Sequence, residues 1–215
     1  AATAAADTFR GFMFASRETD ADRDNDRTSL DRALDRHLFL VIKDGSTGGR
    51  WGFPSGVVGD SADERRKAAR ADKGKDAIAP GAVLLDMADR KVREQVGAEV
   101  HLSMVLQGSG APVGMHWEKS AAAAADGYFG DKTFFFKAHV HARAGEPDPQ
   151  VQLRPRKGGK KSKGKFMWLT REECAALFRK QEAVLAQKSG GTAAAAAAAS
   201  KDGVQLSALV ERLLH

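Results

Sequence analysis

The stretch that most limits how this chain can fold runs from His37 to Gly97. It opens on an apolar run, Leu38-Phe39-Leu40-Val41-Ile42, which stops at Asp44-Gly45-Ser46-Thr47-Gly48-Gly49. Branched and aromatic residues closed by turn formers predict a strand entering a hairpin-type turn. Beyond it, Arg50-Trp51-Gly52-Phe53-Pro54-Ser55-Gly56 reads as a short strand that ends at Pro54 and turns through Gly56. A helix is expected over residues 83–96, with Leu84, Leu85, Ala88 and Val92 on its apolar stripe and Gly97 as its C-terminal stop. Strand, glycine turn, helix and further strands make an α/β (α+β) domain.

The later chain continues this pattern. Strands are predicted at 99–107 and 132–142, and Thr133-Phe134-Phe135-Phe136-Lys137-Ala138-His139-Val140-His141 has the strongest strand composition. Phe134 and Phe136 would share one face and Phe135 the other, as in a sheet covered on both sides. A Gly/Ala-rich loop is expected between these strands. Its Trp117, Tyr128 and Phe129 would suit a protein interface or fold back on the core. Phe166-Met167-Trp168-Leu169 precedes a helix opened by Thr170, and Glu173 three residues on completes a capping box. Leu30 and Leu34, one helical turn apart, predict a short helix over 29–36. Val204, Leu206, Leu209, Val210, Leu213 and Leu214 lie at helical spacing and predict an amphipathic C-terminal helix.

These elements divide the chain into an N-terminal extension (1–28), a domain (29–188), a linker (189–203) and a terminal helix (204–215). The domain carries insertions near 59–80 and 108–130 and a basic loop at 154–165. At 215 residues one sizeable core with appendages is expected, although alanine runs at 1–6 (broken by Thr3), 121–125 and 193–199 add little to it. Lys+Arg exceed Asp+Glu by 34 to 28, a net +6 that favours a polyanionic partner. The single cysteine, Cys174, excludes an intramolecular disulfide and suits a reducing compartment. No apolar run reaches the roughly 18 residues a membrane-spanning helix needs, and no membrane partner is expected. The chain opens Ala1-Ala2-Thr3 without methionine, as expected either where a targeting peptide has been removed or where the earliest residues are not represented.

The order of strand, Trp51-x-Phe53-Pro54-x-Gly56 turn, helix closed by Arg-x-x-x-Glu-x-x-Gly, and strand resembles the Nudix hydrolase family over roughly 38–177. Aligned backwards from the final glycine, the helix supplies Arg90, Lys91, Val92, Arg93, Glu94, Gln95, Val96 and Gly97. The family chemistry needs several carboxylates on one helix to hold magnesium against a diphosphate and activate water. Lys91 stands where the first glutamate belongs and Gln95 where the last does, leaving Glu94. Counting from Gly56 to the upstream glutamate lands on Ala62, because the 59–80 insertion breaks the spacing. The resemblance therefore implies a Nudix-like mixed sheet sandwiched between helices, with no catalytic residue, metal or cofactor. Asp86, Arg90 and Glu94 would instead form i,i+4 ion pairs. The alternatives are a magnesium-dependent hydrolase of nucleoside diphosphate derivatives, using Glu94 with an acid from Asp63-Glu64, or a nucleotide-binding sensor.

A narrower resemblance adds to this. Leu34-Asp35-Arg36-His37-Leu38-Phe39-Leu40, the degenerate helix, Phe134-Phe135-Phe136-Lys137-Ala138 and Trp168-Leu169-Thr170-x-Glu172-Glu173 occur in one order over about two thirds of the chain. The combination resembles the family of the mitochondrial large-subunit ribosomal protein numbered forty-six. It implies a structural subunit of the mitochondrial ribosome near the central protuberance, with other ribosomal proteins and rRNA as partners and no DNA. The residues available for rRNA are Arg154, Arg156, Lys157, Lys160, Lys161, Lys163 and Lys165, seven basic residues in twelve. Such a run can follow a phosphate backbone, or it can be a solvated hairpin tip. His139 and His141, two apart on a strand, would face the same way but lack a third metal ligand nearby.

Overall fold

The computed structural model describes residues 16–43, 49–58, 80–97, 100–105, 111–118, 129–141, 148–149, 151–153, 164–188 and 206–213. Their elements in chain order are α1 (Asp20–Arg23), β1 (Phe39–Lys43), α2 (Pro80–Val96), β2 (Leu102–Met104), β3 (Gly114–Glu118), β4 (Asp131–Phe135), β5 (Ala138–Val140), β6 (Lys165–Leu169), α3 (Arg171–Lys188) and α4 (Leu206–Leu213).

At the centre β1 pairs antiparallel with β6, from Phe39 opposite Leu169 to Lys43 opposite Lys165. Successive side chains on a strand point to opposite faces. Phe39, Val41, Met167 and Leu169 accordingly join Cys174, Ala175 and Phe178 of α3 and Val210 of α4 in one core. Leu40, Phe166 and Trp168 join Val92 and Val96 of α2, with Val100, Leu102, Val140 and Val151, in a second. The ladder thus lies between α2 on one side and α3 with α4 on the other, and for that reason the run from Leu38 to Ile42 is apolar at every position. Each fully buried Val, Leu or Phe adds roughly 1.5–3 kcal/mol.

The α+β class holds, but the described strands do not make the mixed sheet expected. They form three two-stranded antiparallel ladders, β1–β6, β2–β5 and β3–β4. The single strand expected over 132–142 breaks at Phe136 and Lys137, so β4 pairs with β3 while β5 pairs with β2. The Phe135 carbonyl accepts from Val113 N–H and that of Lys137 from Val105 N–H, which marks the point where the chain changes partners. Trp117, expected in a loop, sits in β3. The short strand expected at 50–54 contributes one bridge, Gly52 with Ile42.

The helix expected over 29–36 does not form. Asp22 accepts the Ala33 N–H at 2.8 Å, and Ala33 takes a left-handed φ of 46° that no α-helix tolerates. Arg32 turns inward instead: its guanidinium donates to the Trp168 carbonyl at 3.0 Å and to Glu173 at 2.7 Å, and the residue is only 7% exposed. Two tertiary hydrogen bonds from a buried cation outweigh a single turn of local helix. The short helix of this region is α1, capped by Thr19 and Asp22.

Candidate functional site at the glycine turn

Helix α2 carries the positions aligned with the Nudix pattern, and its end follows from local chemistry. Gly97 adopts a φ of +97°, where a side chain would be strained. Its N–H bonds the Arg93 carbonyl. Gln152 covers the terminus, its N–H bonding the Val96 carbonyl at 3.0 Å. The C-terminal stop expected at Gly97 is therefore where the helix ends.

The segment 50–58 is strung between two helices. On the α3 side, Gln181 accepts from Trp51 N–H at 2.8 Å and donates to the Trp51 carbonyl at 3.0 Å. Phe53 packs edge-on against Phe178 with ring centroids 5.4 Å apart. On the α2 side, the Gln95 side-chain amide donates to the Ser55 carbonyl. Gly56 lies against the Lys91 side chain so closely that an added Cβ would stand 2.8 Å from Lys91 Cδ. Gln95 and Lys91 thus both engage the turn, one through a side-chain amide and one through its aliphatic stem. Glu94 on the same helix faces solvent, and Arg90 is half-buried.

The ion pair between Asp89 and Arg93 on α2 was not anticipated from the sequence. Asp89 receives the Arg93 Nε at 2.8 Å, which raises the Arg93 pKa further through that hydrogen bond, and Arg93 also donates to the Leu102 carbonyl at 2.8 Å. This ties α2 to β2. The i,i+4 spacing of 89 and 93 is visible in the sequence as readily as that of Asp86, Arg90 and Glu94. The contacts of Arg32, Gln181 and Gly56 carried no such signal, since each partner lies far away in the chain.

Of the seven basic residues, Arg154, Arg156, Lys157, Lys160, Lys161 and Lys163 lie outside the described residues. Lys165 does not: it opens β6, paired with Lys43, rather than belonging to the loop. His139 and His141 share an exposed face, as their spacing required. Across the ladder this face also carries Ser103, in register with His139, and His101, whose carbonyl accepts from His141 N–H. His141 Nε2 is 2.6 Å from Ser103 Oγ. Among the described residues no three potential ligands converge as a metal would need. Beside this face, Arg93, His101, Leu102 and His141 line a groove of about 320 Å³.

No protein-family model matches the chain. It is 32% identical over 166 residues to the large ribosomal subunit protein mL46 of Bos taurus, a match spanning 77% of this chain and 48% of the relative. To the large ribosomal subunit protein mL46 of Neurospora crassa it is 30% identical over 165 residues, 73% of this chain and 36% of the relative. The chain belongs to the mL46 family. It spans about half or less of the length of these mL46 relatives. For an mL46 member the turn just described is of interest because Lys91 and Gln95 act there as packing and hydrogen-bonding residues.

Proposed function

We propose that this chain is a structural component of the mitochondrial large ribosomal subunit that supports mitochondrial translation from the matrix and performs no hydrolysis. Membership of the mL46 family carries this reading. The glycine turn supports its negative half: Lys91 and Gln95 are engaged with Gly56 and Ser55, and a lysine puts positive charge where a magnesium ion would have to sit. A Nudix-like frame near the central protuberance, without a cofactor, belongs to the same proposal. So do its partners: neighbouring proteins of the large subunit, and rRNA through the basic run from Arg154 to Lys165.

An exposed apolar face supports the protein contacts. In the β3–β4 hairpin Met115 is 60% and Trp117 50% exposed, and both project to one side with Phe134 opposite Met115. Phe129 just before β4 is 93% exposed. Aromatic and methionine side chains of this kind are the usual anchors of protein interfaces. The test is sedimentation of mitochondrial extract carrying a tagged copy of the chain: it should travel with large ribosomal subunits and stay there in moderate salt. Migration as free protein would refute the proposal, and so would magnesium-dependent phosphate release that disappears in Glu94→Gln.

A further inference from the structure

Strand β6 pairs with β1 along one edge, and among the described residues no strand pairs with its other edge. Residues 19–36 meet that outer edge instead. The Trp168 N–H donates to the Arg27 carbonyl at 2.7 Å, and the Trp168 carbonyl accepts from the Arg32 guanidinium at 3.0 Å. An open strand edge is a template for pairing with another chain, and a covering segment closes it. This segment is tied to itself: Thr19 Oγ1 donates to the Asp31 carbonyl at 2.6 Å, Asp22 accepts the Ala33 N–H at 2.8 Å, and the Arg36 N–H donates to the Ala33 carbonyl at 2.8 Å.

Its grip on the rest of the fold is mainly polar. Arg32 is the one buried residue of 19–36, and Leu30 supplies the apolar contact with the core around Trp168. Three arginines converge on the two glutamates in the first turn of α3. Arg32 lies 2.7 Å and Arg27 3.8 Å from Glu173, and Arg36 lies 3.6 Å from Glu172. The Leu30 N–H adds a bond to Asp148 at 3.2 Å. A segment with so little apolar burial opens at lower cost than the core, and charge pairs at partly exposed positions weaken with salt.

We propose that residues 19–36 form a charge-latched strap over the outer edge of β6, which opens as one unit while the β1–β6 ladder and both cores stay folded. Arg32 is the latch, because one guanidinium joins the strand edge at Trp168 to the helix at Glu173. Opening frees the backbone groups of Trp168 and uncovers Glu172 and Glu173 in the same event.

Native-state hydrogen exchange of the full chain, followed by NMR in low and high potassium chloride, tests this. The Trp168 and Leu30 amides report the strap, and that of Phe178, fully buried in α3, reports the core. Trp168 and Leu30 should share one opening, at least about tenfold more frequent than the opening that frees Phe178, and high salt should raise it. Arg32→Met should raise it about tenfold or more. If that variant does not fold, Arg27→Gln with Arg36→Gln should raise it about two- to tenfold. Val210→Ala, in the core away from the strap, should speed Phe178 about tenfold and leave Trp168 and Leu30 unchanged. Strap amides that speed up together with Phe178 in Val210→Ala open only by global unfolding, and the inference fails. It also fails if Trp168 and Leu30 respond differently to loss of the arginines, or if neither salt nor those substitutions change their exchange.

Discussion

The side chain of Lys91 occupies the space that a Cβ on Gly56 would need, with 2.8 Å to its Cδ, 2.9 Å to its Cγ and 3.2 Å to its Cβ. This contact holds the turn against α2. Its close approach, rather than any special backbone angle, is what requires glycine.

Gly56→Ala should therefore destabilise the protein by about 1–3 kcal/mol, the range for forcing extra atoms into a packed site. Urea denaturation of Gly56→Ala, Lys91→Ala and the double variant checks this. Lys91→Ala should absorb most of the cost, with a coupling above about 0.5 kcal/mol. A cost that is equal in both backgrounds would place the strain elsewhere.

Placing carboxylates at positions 91 and 95 should not create hydrolytic activity. In Lys91→Glu with Gln95→Glu, the amide that donates to the Ser55 carbonyl is lost, and two carboxylates are brought against the turn without the upstream ligand. The expected outcome is no magnesium-dependent phosphate release from nucleoside diphosphate derivatives, together with lower stability than the parent. Turnover above background in that variant would mean that these positions can assemble a metal site.

The part-buried pair of Arg32 and Glu173 should give stability an acid limb. Burial pushes the Glu173 carboxyl up, but the Arg32 hydrogen bond, the Thr170 N–H and the charges of Arg32 and Arg27 together hold it below its ordinary value of 4.5. A carboxyl depressed in the folded state contributes stability that is fully present above its unfolded value. That stability is lost as pH falls from about 4.5 through the lower folded value. Denaturation midpoints measured down this window should drop for the parent and drop less steeply for Glu173→Gln. Arg32→Met, which removes the carboxylate's closest cation and leaves the Trp168 carbonyl without its donor, should cost about 1–3 kcal/mol at neutral pH.

Cys174 should be chemically silent in the folded protein. Burial, then the charges of Glu173 and Glu172, push its thiol up to about 12, and the residue is fully enclosed by the core around Phe178. Labelling with a thiol-reactive reagent near pH 8 should be slow and should become fast only in denaturant. Rapid labelling of native protein would mean that α3 opens away from β6.

Much of the fold could be read from local pattern. The apolar run from Leu38, the stop at Gly97, the capping box at Thr170, where Thr170 N–H meets Glu173 at 2.9 Å, and the helical spacing around Val210 all rest on neighbours within a turn or two. Side-chain period and capping chemistry act over that range, so sequence alone determines them. The candidate site was legible only as a set of substitutions: Lys91 and Gln95 could be named as departures, but not as the residues that hold Ser55 and Gly56. What the tertiary structure decided are the long-range choices. It turned Arg32 inward and left residues 29–36 without a helix, split the aromatic strand between two partners, and set Lys43 opposite Lys165. Each depends on groups distant in the chain, so its energy exists only once the core has formed and no local pattern can announce it.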